Sequence, residues 1–185
     1  MTILAIVGST RSRSYNRMLL HAALEVAPEG ASLETASIKD IPLYDGDVEE
    51  GSGVPEVVQA LKDRIARAGG VLLVTPEYNN SIPGVFKNAI DWTSRPASDI
   101  ARVWGDKPVG VIGATPGPWG TAMAQAAWLP VLRTLGTQPY FGARVQIASA
   151  ASVFDEHGKL LDARVRSQLT KYMAGFVQFV TRQAR

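Results

Sequence analysis

The sequence predicts an α/β fold: a doubly wound five-stranded parallel sheet of order 2-1-3-4-5 with helices on both faces. Two observations predict it. Apolar runs of strand length alternate with stretches of helical periodicity, which is the pattern of a parallel sheet covered on both sides. No linker, internal repeat or low-complexity tract interrupts that alternation, and 185 residues is the size of one domain, read here as residues 1–185. A chain of this length buries roughly 70% of the surface its unfolded form exposes and needs no staples.

Residues 2–7 read as the first strand. Residues 16–26 follow as a helix whose Leu20, Ala23, Leu24 and Ala27 share one face, leaving His21 and Glu25 paired at i, i+4 on the exposed side. Residues 32–38, 70–75, 109–114 and 138–147 read as the second to fifth strands, and 56–68, 85–93, 121–135 and 162–182 as helices. Parallel strands of this kind commonly take the order 2-1-3-4-5, with a ligand crevice between the carboxyl ends of strands one and three. The loops after strands one, three and four therefore carry the chemistry, and they have the oddest local composition of the chain.

The first of these loops, Gly8-Ser9-Thr10-Arg11-Ser12-Arg13-Ser14-Tyr15-Asn16-Arg17, joins a strand to a helix start. Unsatisfied N–H groups and the dipole at a helix N-terminus attract anions, and Ser9, Thr10, Ser12 and Ser14 add donors. Arg11, Arg13 and Arg17 oppose the dipole, at about 0.3–1 kcal/mol each, unless an anion lies between them and the amides. A capped helix with solvated arginines is the plainer alternative; the arginines and the preceding strand favour the anion site. With one glycine and no lysine, the loop is neither a G-x-G-x-x-G dinucleotide turn nor a P-loop. A cradle that grips with side chains suits a terminal phosphate monoester, such as that of FMN, better than a pyrophosphate.

In the second loop, Thr75-Pro76-Glu77-Tyr78-Asn79-Asn80-Ser81-Ile82-Pro83-Gly84, the prolines stiffen the backbone and push Thr75 and Ile82 toward extended geometry. A fixed Tyr78 beside amides and hydroxyls suits a flat heterocycle with polar edges. Taken alone, the loop fits an ordinary turn equally well. The third loop, Gly113-Ala114-Thr115-Pro116-Gly117-Pro118-Trp119-Gly120, has glycines that admit close backbone approach and a Trp119 able to cover a ligand. Convergence of three such loops on one crevice carries the weight: phosphate, ring edge and ring face are each provided for.

Gly8-Ser9-x-Arg11-x-x-Ser14-x-Asn16, together with Pro76-Glu77-Tyr78-Asn79-x-Ser81-x-Pro83-Gly84-x-x-Lys87-Asn88-x-x-Asp91-Trp92, resembles the NADPH-dependent FMN reductases, including quinone and chromate reductases. The similarity in order and spacing covers nearly the whole chain. It implies a flavodoxin-like fold and an FMN enzyme that passes hydride from NADPH or NADH to a small-molecule electron acceptor, a quinone or else chromate, an azo or a nitro compound. It implies that Ser9, Arg11, Ser14, Tyr15 and Asn16 hold the FMN phosphate end and that Pro76, Glu77, Tyr78 and Asn79 line the isoalloxazine, completed by Ser81 and by Gly113, Thr115 and Gly117. No dedicated catalytic residue is expected, because the flavin does the chemistry. The resemblance further implies a homodimer, with a tetramer as the alternative, in which the helix of Asn88, Asp91 and Trp92 lies near the interface. Met123 departs from the pattern: many members have an arginine there, so an acceptor preference or tetramer contact that depends on that arginine is not implied for this chain.

Composition narrows the alternatives. There is no cysteine, hence no disulfide, thiolate nucleophile or Fe–S cluster, which fits a reducing cytoplasm. A net charge of +2 with scattered basic residues indicates no nucleic-acid surface and lacks the single-sign field of an electron shuttle. Residues 1–7 are too short for a signal h-region, and no stretch reaches the ~20 apolar residues of a membrane span. Asp45, Asp47, Glu49 and Glu56 have calcium-loop spacing, but Glu50 stands where the sharp turn requires glycine, so they read as a solvated loop, with a role at the crevice rim as the alternative. His157 sits in a polar turn without a second histidine at ligand spacing, so no metal site is expected. The rival from another class is a non-catalytic FMN-binding electron carrier of the same fold, which would ignore NADPH.

Overall fold

In the computed structural model, which describes residues 2–183, strand β1 (Thr2–Val7) puts Ile3, Ala5 and Val7 on one face of the sheet and Leu4 and Ile6 on the other, all buried. Strand β3 (Gly70–Val74) repeats the pattern, Leu72 and Val74 opposing Val71 and Leu73. Both faces must therefore be covered by helices. Helices α1 (Tyr15–Glu25) and α7 (Ala163–Gln183) cover the first face, with Leu19, Leu20 and Ala23 of α1 and Leu169, Met173 and Phe176 of α7 in its core. Helices α3 (Glu56–Arg67), α4 (Gly84–Thr93) and α6 (Ala122–Thr134) cover the second through Leu61 and Ile65, Phe86 and Ile90, and Trp128 and Leu132. Met1, Ala184 and Arg185 lie outside the described residues.

The sheet runs β2 (Ser32–Ala36), β1, β3, β4 (Pro108–Ala114), β5 (Gln138–Pro139), all parallel, so the expected 2-1-3-4-5 order is the order found. One correction concerns the fifth strand. Residues 138–147 do not form one strand: β5 pairs with the start of β4, and a separate β6 (Gln146–Ile147) pairs with its end at Gly113 and Ala114. Tyr140 N still donates to Val109 O of β4 at 2.8 Å while its ring packs on Tyr172, Phe176 and Phe179 at centroid distances of 5.3, 5.7 and 5.6 Å; the ladder is lost beyond it and resumes where Gly113 N donates to Val145 O. Interruptions of this kind are tolerated at a sheet edge.

A second correction concerns residues 45–52. They form a short helix, α2 (Gly46–Ser52), capped by the Asp45 carboxylate accepting from Asp47 N at 2.9 Å. It buries nothing and so has no apolar periodicity to betray it. Its Glu49 accepts from Arg95 Nε and from the Tyr44 hydroxyl, each at 2.8 Å, and the Arg95 guanidinium holds that carboxyl below its ordinary pKa. The loop before it is bound to α4: Asn88 accepts from Tyr44 N at 2.8 Å, and Asn88 Nδ2 and Trp92 Nε1 donate to Pro42 O at 2.8 and 2.9 Å. A four-residue helix, α5 (Ile100–Val103), completes the elements. Glu25 pairs with Arg166 at 3.4 Å rather than with His21, because α7 brings a cation closer than the i, i+4 neighbour. No described helix is long and apolar enough to cross a membrane.

Candidate functional site

Parallel strands deliver three loops to one end of the sheet, and a crevice opens where they meet. The loop between β1 and α1 contributes Ser9, Arg11, Arg13, Ser14, Tyr15 and Asn16; the loop after β3 contributes Pro76, Glu77 and Tyr78; the end of β4 contributes Ala114, Thr115 and Pro116. The first loop leaves β1 at Gly8, where a Cβ would overlap the ring of Phe86, so only glycine lets strand and ring share this space. Ser14 caps α1, its Oγ accepting from Asn16 N at 3.2 Å. Ser9 accepts from Arg11 N at 3.4 Å, a weaker contact that leaves the hydroxyl hydrogen free to donate.

The donors in this loop exceed the acceptors. Among the described residues, the N–H groups of Ser12, Arg13, Ser14 and Tyr15 have no protein acceptor. Arg11 and Arg13 line the crevice, are exposed and enter no ion pair among the described residues; Arg17 is likewise exposed and unpaired but lies outside that lining, and the first turn of α1 has no acidic residue. Free amides, hydroxyls and unpaired guanidinium groups at one helix N-terminus are the donor set that a phosphate monoester fits.

The other two loops are braced onto the first and onto each other by side chains. Asn16 is 3% exposed; its Nδ2 donates to Ala114 O at 2.8 Å while its Oδ1 accepts from Ala114 N at 2.9 Å. The amide is thus spent chiefly on fastening β4 to α1. Glu77, though it borders the crevice, likewise spends one carboxylate oxygen on the protein, Oε2 accepting from Ala124 N at 2.9 Å in the first turn of α6. Since Thr121 at the helix start makes no side-chain cap bond, Glu77 caps α6 from a distance and ties the second loop to the third. Replacing Asn16 with alanine orphans two buried backbone groups, at about 1–3 kcal/mol of stability. Chemical unfolding checks this, and Asn16→Asp, which keeps an acceptor, should recover part of the loss.

Tyr78 and Ser81 bond mutually, N to O at 3.1 and 3.0 Å, around Asn79 and Asn80, whose φ angles are 50° and 60°. Two successive left-handed residues make this the hairpin turn that asparagine favours, so turn chemistry adds to the prolines in stiffening the loop. The turn leaves Tyr78 47% exposed at the mouth of the crevice. Asn79 and Ser81 lie beside the crevice rather than lining it. Gly113 also does not line it: a Cβ there would strike Thr121 and Thr75 O, so this glycine serves protein packing. Gly117 has open space, its nearest neighbour being Thr115 Oγ1 at 3.7 Å, and Trp119 stands 79% exposed away from the crevice.

Sequence reasoning missed the wall beside Tyr15. Phe154 stacks on Tyr15 at 6.4 Å, and with Ala151, Asp155 and Glu156 it borders an adjoining slot that shares Arg11 and Arg13 with the crevice. No motif marks that segment, which reaches the site only through the fold.

The family model for NADPH-dependent FMN reductase matches residues 1–152. An NAD(P)H-dependent FMN reductase of Pseudomonas aeruginosa is 40% identical over 180 residues, covering 97% of this chain and 95% of that protein. A 2-hydroxy-1,4-benzoquinone reductase of a Burkholderia species is 39% identical over 97% of this chain and 96% of its own. Among solved structures, the FerB flavoenzyme NAD(P)H:(acceptor) oxidoreductase of Paracoccus denitrificans superposes with a TM-score of 0.87 at 35% identity, covering 98% of each chain.

Proposed function

The chain belongs to the NADPH-dependent FMN reductase family, and on that premise we propose that its crevice holds FMN and that it is an oxidoreductase passing electrons from NADPH or NADH to a quinone or similar small acceptor. The observation that carries this reading is the surplus of phosphate donors at the start of α1, placed beside the rigid Tyr78 turn. FMN held there would supply two-electron redox chemistry between reduced nicotinamide and the acceptor. Ser9, Arg11, Ser14 and the free amides up to Tyr15 bind its phosphate, while Asn16 positions β4. Pro76, Glu77 and Tyr78 border the ring with Thr115, and Asn79, Ser81, Gly113 and Gly117 shape the two loops that present them. Tyr78 controls access at the mouth, so its substitution alters acceptor choice more than it abolishes turnover.

Anaerobic titration of the FMN-loaded protein with NADPH, followed by visible absorption, tests the reading. One equivalent of NADPH per flavin should bleach the spectrum. Retained flavin that dithionite reduces and NADPH does not would instead identify a carrier.

The proposal extends to a homodimer in the cytoplasm. Trp92 is fully buried and Asn88 is engaged with the loop at Pro42 and Tyr44, so α4 contributes to an interface through Val85 and through the surface it supports, where Leu43 is 81% exposed. Sedimentation should give the dimer mass, and Leu43→Asp should shift the protein toward monomer.

A further inference from the structure

Beyond Arg13 the crevice continues. It passes first into the slot bordered by Tyr15, Met18 and Phe154 and then into a groove of about 630 Å³ between α1 and the turn at residues 155–159. Two elements present basic side chains to this groove: Arg13 just before α1 with Arg17 and His21 on it, and His157 and Lys159 from the turn. The turn is preformed. Asp155 Oδ1 accepts from His157 N and Lys159 N at 2.9 and 2.8 Å, and Gly158 packs against Met18 of α1.

Charge around the groove is unbalanced. Of its two carboxylates, Glu25 is occupied by Arg166 at 3.4 Å and Glu156 faces His157 at 3.6 Å. Arg13, Arg17 and Lys159 have no ionic partner among the described residues, so the charges that line the groove are free to meet a ligand.

Resting on the FMN reductase reading, we infer that this groove receives the adenosine end of the hydride donor, with Arg17 and Lys159 gripping the 2′-phosphate that distinguishes NADPH from NADH. The chemistry points to a phosphate monoester on an aromatic nucleoside. Unpaired arginine and lysine suit a phosphate dianion, Tyr15 offers a stacking surface, and continuity with the crevice lets a single dinucleotide reach from one to the other. A nucleic acid would need a longer basic track than two elements supply.

Calorimetry on the FMN-loaded protein tests this with 2′,5′-ADP and ADP as probes. The wild type should bind 2′,5′-ADP about tenfold more tightly than ADP, and Arg17→Gln with Lys159→Gln should bring the two within about twofold. Both side chains are exposed, so the variant folds, and its melting temperature checks that. No preference in the wild type, a preference that survives in the variant, or release of FMN by 2′,5′-ADP would each overturn the assignment. FMN affinity, measured separately by flavin fluorescence quenching on the apoprotein, isolates the underlying reading. Failure there is failure of the cofactor site, whereas intact FMN binding without a 2′-phosphate preference refutes the groove alone.

Discussion

Arg11→Ala should weaken FMN binding by roughly 10- to 100-fold while leaving the fold intact. A hydrogen bond to a charged group is worth about 1.5–3 kcal/mol, and every 1.4 kcal/mol is about tenfold in affinity. Arg11 is exposed, has no ionic partner among the described residues and enters neither hydrophobic core, so nothing in the apoprotein depends on it. Flavin fluorescence titration should therefore show the loss, and thermal unfolding of the apoprotein should show almost none. The deficit should shrink as salt is raised, because part of it is Coulombic and exposed charges are screened. Arg11→Lys should restore a fraction, a point charge replacing a planar fork. An unchanged FMN dissociation constant would remove the phosphate from this loop altogether.

Asp99→Ala should destabilise the protein by about 3–5 kcal/mol, the usual cost of stripping the partner from a buried charge. That charge is Lys62, 1% exposed on α3, which donates to Asp99 Oδ2 at 2.8 Å and to Arg95 O. Lys62→Met should cost less. Asp99 would keep its two bonds to Arg102, at 2.6 and 2.8 Å, and Arg102 its bond to Asp63 at 2.9 Å. The network is also a source of acid sensitivity. Arg102 first and Lys62 second hold the Asp99 carboxyl far below its ordinary pKa of 3.8. A carboxyl depressed in the folded state contributes stability that is complete above 3.8 and is lost as pH falls below it toward the folded value. Urea unfolding midpoints at about pH 7 and about pH 3 should show a steep fall in the wild type and a shallower one in Asp99→Ala. Equal slopes would show that Asp99 carries no differential charge.

Much of the site was legible because the residues that make it are local. Hydroxyls and arginines in one short loop imply donors at a helix start wherever that helix points, and the tyrosine loop announces its rigidity through Pro76 and Pro83. What each side chain does once there was not legible. Asn16 and Glu77 occur in motifs that suggest ligand contact, yet Asn16 fastens Ala114, 98 positions away, and Glu77 caps α6, 47 positions away. Both partners are backbone groups, so no residue type in the sequence signals them. Phe154 and the turn carrying Lys159 reach the site by the same route, brought beside Tyr15 and Met18 by packing between α1 and the segment before α7.

Strand order, the two-faced core and the end of the sheet where the crevice opens follow from the sequence alone. They depend on hydrophobic periodicity and on the handedness of parallel crossovers, both of which act over neighbouring elements. Where periodicity is absent or overruled, only tertiary structure decides. Helix α2 buries nothing and forms because Asp45 caps it and Arg95 holds Glu49; the fifth strand breaks after Tyr140, whose ring packs on α7; Glu25 leaves His21 for Arg166. In each case the deciding partner is distant in sequence, and its proximity exists only once the sheet has assembled.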